Sequence, residues 1–237
     1  MLQKGWQPQN LISKDYIEYQ NIDQVIIDLC SENLCVKKYK GEDILIEVYS
    51  NNAKTKPSIA AANNQLLIVS NNKLFSDPIY CNVEVYVPVN FIPDSIEINN
   101  IHGNTILENL KAKDSITFGA QDGECSFLNL NCENLELNTV SSDIKYDNLN
   151  NEIFFIKTVS GNIDVNLKNK EYVYSFITSE KGNIKVSYNK KALFDLLIYS
   201  EKPLTRNKNS ISLAICPRRA RSFQRHVSVR ASAHPKG

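Results

Sequence analysis

The first 205 residues of this 237-residue chain contain no arginine. A site that grips a carboxylate or phosphate through a planar, bidentate guanidinium has no residue to build it from there. Glycine and proline number eight each, too few for a collagen or a flexible linker protein. No apolar run approaches the roughly 18 residues of a membrane-crossing helix. Cys-x-x-Cys pairs are missing, and the three histidines (His102, His226, His234) are not spaced as ligands, so no zinc or other metal site is expected. The Gly-x-x-x-x-Gly-Lys phosphate loop, the Gly-x-Ser-x-Gly elbow and the His-Glu-x-x-His helix are also missing, and no cofactor is expected. None of the 29 asparagines stands in an Asn-x-Ser/Thr acceptor, and Met1–Trp6 leads into polar residues rather than the apolar core of a secretory signal. The expectation is a cytoplasmic chain, or one whose export or anchor segment lies outside this sequence.

What is present points to a folded domain. Hydrophobic residues make up 42% and charged residues 22%, which excludes a disordered chain. The net charge of +1 hides two unlike parts. Residues 1–205 carry 19 lysines against 26 acids, a balance of −7, in an Asn/Lys/Ile-rich background. Residues 206–237 carry six arginines, two lysines and no acid. The tail, residues 214–237, reads as compositionally foreign and disordered. Its Arg218-Arg219-Ala220-Arg221 cluster offers weak polyanion binding at most.

Helical periodicity is scarce; a turn near Asp15–Tyr19 and the segment Lys190–Leu197 are the best helix candidates. Alternation dominates instead, as in Ile44-Leu45-Ile46-Glu47-Val48 and Val83-Glu84-Val85-Tyr86-Val87, the period of a strand with one buried face. Residues 95–202 hold no proline, which suits uninterrupted ladders. The chain is therefore all-β.

Repetition is more informative. Segments beginning at Gly103, Gly123, Ser142, Gly161 and Gly182 share one pattern of small, polar, apolar, polar, apolar, and each follows a second alternating run: Ile96/Ile98, Ile116/Phe118, Leu135/Leu137, Phe154/Ile156 and Tyr174/Phe176. Asn207–Leu213 reads as a sixth, degenerate copy. Two short strands per period predict a single-stranded, right-handed parallel β-helix (β-solenoid) with about 19–21 residues per coil. The glycines are expected at bends that need positive φ, with Asn and Asp beside them. The expected layout is a lead segment (1–19), a solenoid domain (20–213, with irregular opening coils over 20–90 and regular coils over 91–213) and the tail. The opening segments either start the rod or cover its first edge.

Val83–Pro88, then Ser95–Ile98, then Ile101-His102-Gly103-Asn104 resemble the opening of the bacterial "putative adhesin" β-strand-repeat domain family, a family of unknown function. Thr158-Val159-Ser160-Gly161-Asn162-Ile163-Asp164-Val165 resembles its recurrent coil, repeated at Lys181–Val186. The resemblance covers roughly residues 20–213. It implies a right-handed solenoid, commonly attached to the bacterial envelope through a separate N-terminal segment, and it supplies no catalytic residues.

For chemistry, the carboxylates Asp122, Glu124, Asp143 and Asp164 and the lone His102 are the candidates, Asp143 and Asp164 in nearly equivalent polar columns. Outward acids follow from alternation alone, so no catalytic residue is assigned. Cys125 and Cys132, read as lying in one alternating segment, are expected as half-buried thiols packing as small hydrophobes. Tyr146, Tyr172, Tyr174 and Tyr188 with Phe127, Phe154, Phe155 and Phe176 are expected mostly in the interior, a minority being free to stack on sugars. The leading reading is a non-enzymatic structural or adhesion-type module whose lateral face takes a protein or glycan. The alternative is a carbohydrate-active solenoid enzyme.

Overall fold

The structure, a computed structural model, describes residues 10–71, 81–149, 151, 153–167, 171–188, 193–200, 204–207 and 210–213. In chain order the strands are β1 (Asn10–Ile17), β2 (Gln24–Leu29), β3 (Asn33–Tyr39), β4 (Ile44–Ser50), β5 (Ser58–Ala62), β6 (Gln65–Val69) and β7 (Cys81–Pro88). Five strand pairs follow: β8 (Ser95–Asn100) with β9 (Thr105–Glu108), β10 (Ser115–Ala120) with β11 (Glu124–Leu128), β12 (Asn134–Thr139) with β13 (Asp143–Leu149), β14 (Ile153–Thr158) with β15 (Ile163–Leu167), and β16 (Glu171–Ser179) with β17 (Ile184–Tyr188). The last strands are β18 (Leu193–Ser200), β19 (Leu204–Asn207) and β20 (Ser210–Leu213). Both helix candidates are overturned: Asp15 lies in β1, and β18 takes the described part of the second segment. In β1, Lys14 and Tyr16 face outward beside half-buried Ile17, which is strand periodicity.

Among the described residues the strands form one sheet of eleven and one of nine. Each regular pair sends its first strand to the nine-stranded sheet and its second to the eleven-stranded sheet, and equivalent strands stack in parallel. Ile96 lies beside Ile116, Ile116 beside Leu135, and Leu135 beside Phe154. In the other sheet Thr105, Cys125, Ile144, Ile163 and Ile184 follow one another in register. The fold is β-helix-like, with one apolar core between the sheets. Phe118 and Phe127 meet edge to face at 5.1 Å, and Phe127 lies 6.0 Å from the fully buried Tyr146. The Tyr146 hydroxyl accepts from Leu130 N at 3.1 Å and so stays satisfied inside the core.

Two local readings need correction. Phe154 and Ile156 stack on Ser175 and Ile177, not on Tyr174 and Phe176. A one-residue slip exchanges the faces, so Phe176 points outward, half-buried, and Ser175 is buried. Ser210–Leu213 is not a further parallel copy: β20 runs antiparallel to β17 and β19 antiparallel to β20, a hairpin that covers the edge of the eleven-stranded sheet. The tail, residues 214–237, lies outside the described residues.

The opening segments do not stack in chain order. β6 and β7 lie parallel to β2 and β3, which on their other side meet β8 and β9. Backbone bonds trace the same order: Asp23 N donates to Asn64 O, and Asp94 N to Asp23 O. The first coil is thus inserted between the second and the third. Beyond it, β4 pairs antiparallel with β7 and β1 antiparallel with β4, extending the eleven-stranded sheet, and β5 extends the nine-stranded sheet through an Asn63-Asn64 hairpin with both residues at positive φ.

The turns correct the expectation about glycine. Of the four turn glycines only Gly123 has a positive φ, at 107°; asparagines take the other such positions, including the stacked Asn109, Asn129 and Asn148. Asn129 and Asn148 each donate Nδ2 to the Oδ1 of the previous member at 3.0 Å, forming a side-chain ladder. Gly161 and Gly182 are needed for close approach instead. A Cβ on Gly161 would sit inside the carbonyl group of Ser142, and one on Gly182 inside that of Gly161. The amides of Gly161 and Gly182 are held by Thr158 Oγ1 (3.1 Å) and Ser179 Oγ (2.8 Å), so the backbone cannot easily retreat. Gly161→Ala and Gly182→Ala should each cost about 1–3 kcal/mol of unfolding free energy, measured as a lowered urea midpoint with unchanged slope. Gly119→Ala, whose new Cβ meets only the Asn99 side chain, should cost clearly less.

Candidate functional site

Alternation decides what the eleven-stranded sheet shows to solvent. In β4, Ile44, Ile46 and Val48 point inward while Leu45, Glu47 and Tyr49 stand outward. In β7, Val83, Val85 and Val87 point inward while Glu84 and Tyr86 stand outward. The antiparallel register sets Glu47 directly opposite Glu84. Like charges in such positions repel. Here each carboxylate is neutralised by one lysine and one tyrosine. Lys14 Nζ lies 3.0 Å from Glu47, and the Tyr49 hydroxyl donates to Glu47 at 2.8 Å. Lys37 Nζ lies 3.8 Å from Glu84, and the Tyr86 hydroxyl donates to Glu84.

The rings are tied into the same arrangement. Lys37 Nζ sits 4.8 Å from the Tyr86 centroid, and Tyr39 meets Tyr86 edge to face at 5.8 Å. Lys14 Nζ lies 5.6 Å from the centroid of Tyr16, whose residue is 59% exposed. The outcome is a charge-balanced patch of four tyrosines beside two carboxylates, on β1, β4, β7 and β3. Burial would raise the Glu47 carboxyl, but the hydrogen bonds from Lys14 and Tyr49 outweigh it and hold Glu47 below its ordinary 4.5. The bond to Glu47, with burial, pushes the Tyr49 phenol up to about 12. Burial and the bond to Glu84 raise Tyr86 likewise. At neutral pH Glu47 is therefore an ionised acceptor and both phenols are donors, which suits hydrogen bonding and not proton donation by Glu47.

The candidate residues from the sequence lie elsewhere and do not converge on one cleft. His102 Nδ1 is 3.0 Å from Asp122 Oδ2, an exposed pair from successive coils. Glu124 and Asp143 are register partners. Asp143 Oδ1 accepts from Asn162 N at 2.7 Å, continuing a column in which Asn162 Oδ1 accepts from Asn183 N at 3.0 Å. Asp164 stands opposite Lys145 and pairs with Lys185 at 2.7 Å, so it occupies a different column from Asp143. Among the described residues no three His, Cys, Asp or Glu side chains gather as a metal cage. Cys125 in β11 and Cys132 in the turn after it belong to different elements. Cys125 is buried and Cys132 partly so; both are free, and burial pushes each thiol up to about 12. Tyr146, Phe127 and Phe154 are core residues, whereas Phe155 is exposed. The side chains of Tyr172, Tyr174 and Tyr188 lie outside what the structure describes.

Two outcomes follow. Because its folded pKa is depressed, Glu47 contributes stability above about pH 4.5 and loses it as pH falls through the lower folded value. Asp15 behaves alike: burial raises it, but bonds from Ser13 and Lys56 hold it below 3.8. The stability gap between wild type and Glu47→Gln should therefore be largest near neutrality and shrink as pH falls below 4.5 in urea titrations. In the folded chain Cys125 should resist alkylation at pH 8, with mass-mapped labelling appearing only under denaturing conditions.

Comparison with known proteins places the fold. Residues 22–193 match the family model described as Toastrack DUF4097. No curated protein matches the sequence. Similar solved structures include a "putative cell adhesion protein" from Clostridium sporogenes, with 9% identity, 81% of this chain and 100% of that chain covered, and a TM-score of 0.45. Another is a "putative adhesin" from Parabacteroides merdae, with 9% identity, 79% and 95% covered, and a TM-score of 0.31. With nearly three quarters of its length matched by one family model, this chain belongs to the Toastrack DUF4097 family.

Proposed function

We propose that this chain is a non-enzymatic, adhesion-type binding scaffold whose ligand is a neutral glycan seated on the tyrosine patch of the eleven-stranded sheet. The rod is read as a right-handed solenoid with 19–21 residues per coil, over residues 20–213, that carries this face. One observation carries the reading: Glu47 and Glu84 stand directly opposed yet paired with Lys14 and Lys37, and Tyr16, Tyr39, Tyr49 and Tyr86 stand outward beside them. Aromatic faces stack on the apolar faces of sugar rings, and fixed carboxylates accept from their hydroxyls. Because the groups are already held by one another, little side-chain entropy is lost on binding. The patch has no net charge, which favours a neutral polyol over a polyanion.

The carbohydrate-active alternative needs a protonated carboxylic acid beside the scissile bond. Glu47 is held ionised, which argues against that role for it. Asp122, Asp143 and Asp164 are engaged with His102, Asn162 and Lys185.

Retention on immobilised bacterial cell-wall polysaccharide, or a glycan array, tests the proposal. Tyr16→Ala should weaken binding about tenfold while leaving the thermal midpoint within a degree or two. Binding that survives both Tyr16→Ala and Tyr86→Ala in folded protein would remove the patch as the site, and turnover of the glycan would revive the enzymatic reading.

A further inference from the structure

We infer that the β18–β20 end of the molecule is a self-complementary step that pairs with the same end of a second copy, about a twofold axis lying along the strands. Past the last complete strand pair, β16 with β17, the eleven-stranded sheet gains two strands, β20 and β19. Among the described residues the nine-stranded sheet gains only β18. One side of the rod therefore stands one strand taller, about 4.8 Å. Among the described residues, the edge of β18 is free and faces the gap.

Strand direction decides what fills it. Turns as short as residues 140–142 send the chain back along the opposite sheet, so the two sheets run in opposite senses. β18 runs parallel to β16, and β19, two antiparallel steps from β17, runs parallel to β17. β18 and β19 are thus opposed in direction. Rotation by half a turn about the strand direction keeps every strand's sense and exchanges the two sheets. The partner's β19 then arrives antiparallel beside β18, and the partner's β18 arrives antiparallel beside β19. Both steps close at once.

The other arrangements fail. A twofold perpendicular to the sheets would set β19 on the partner's β19 and leave the two β18 edges two strands apart, and closing that gap would drive the β19–β20 hairpins into one another. Head-to-tail stacking fails because the opposite end has the same imbalance, β4 and β1 against β5, so the nine-stranded side would lack two strands. A twofold at that opposite end would pair β5 with β1 in parallel. There β1 carries a register irregularity between Leu11 and Ser13 and the charged Lys14 and Asp15, devices that blunt an edge. β18 is less guarded: its eight residues, Leu-Phe-Asp-Leu-Leu-Ile-Tyr-Ser, hold one charge and no lysine or proline, and the irregularity in its ladder with β16 puts the extra residue on β16, between Tyr172 and Ser175. The geometry closes as a pair and does not propagate into a filament.

One substitution isolates the pairing. Two residues separate Asn207 from Ser210, the closing pair of the hairpin. In two-residue hairpins the closing pair exchanges its hydrogen bonds, so the alternation aims the Arg206 amide at the free edge. Arg206→Pro removes that donor, twice per dimer, and should weaken association about tenfold. Arg206→Ala keeps the amide and should dimerise as wild type does.

The test is sedimentation equilibrium of the full chain over about 1–100 μM, joined to amide hydrogen exchange at both concentration limits. Dimers are expected, with protection of Leu193–Ser200 and Leu204–Asn207 rising with concentration. A monomer throughout would overturn the proposal. So would protection gained at β1 or β5 instead, equal weakening by Arg206→Ala, or β18 protection that ignores concentration, which would mean that the chain covers its own edge. If Arg206→Pro fails to fold, concentration-dependent protection in the wild type decides alone.

Discussion

Backbone approach between successive coils is the constraint on which the rest depends. Parallel strands must stack at ladder distance, and the turns that join the two sheets must stack equally closely. At Gly161 and Gly182 that leaves no room for a Cβ against the carbonyl below. The neighbouring Thr158 and Ser179 hydroxyls then satisfy amides that the tight bend withdraws from water. Once the turns are fixed, like residues fall over like residues, and Cys125, Ile144, Ile163 and Ile184 become one wall of a continuous interior. No single coil could bury that wall by itself.

Much of this was legible in the chain. The turn segments from Gly103 to Val186 follow one another in the observed register because each turn demands the same small and polar residues. What escaped reading did so for physical reasons. Tyr174 and Phe176 look like the natural successors of Phe154 and Ile156, yet the ladder places Ser175 and Ile177 there, since alternation alone fixes a register only to within one residue. Ser210–Leu213 alternates like any coil strand, and nothing in its sequence announces that it returns antiparallel. Spacing also cannot reveal that β6 and β7 lie outside β2 and β3, because the strands they meet are about forty to fifty residues away.

The candidate site shows the same division. The carboxylates picked out for possible chemistry mostly serve the ladder: Asp143 caps the amide of Asn162, and Asp164 meets Lys185. The tyrosine patch was present in the alternation of Val83–Val87 and Ile44–Ser50, which puts Glu47, Tyr49, Glu84 and Tyr86 on outward positions. Only the antiparallel pairing of β4 with β7, and of β1 with β4, brings those outward residues together with Lys14 and Tyr16.

The inserted first coil has a consequence for how the protein is made. When β2 and β3 leave the ribosome, both of their ladder edges are bare. One waits for β6 and β7, the other for β8 and β9. Synthesis therefore cannot lay down this rod rung by rung from one end; its first rung is complete only when β6–β7 and β8–β9 have docked on its two sides. Once bracketed, it is shielded from peeling, and loss of order would start at the far end, where rungs were added in the order of translation.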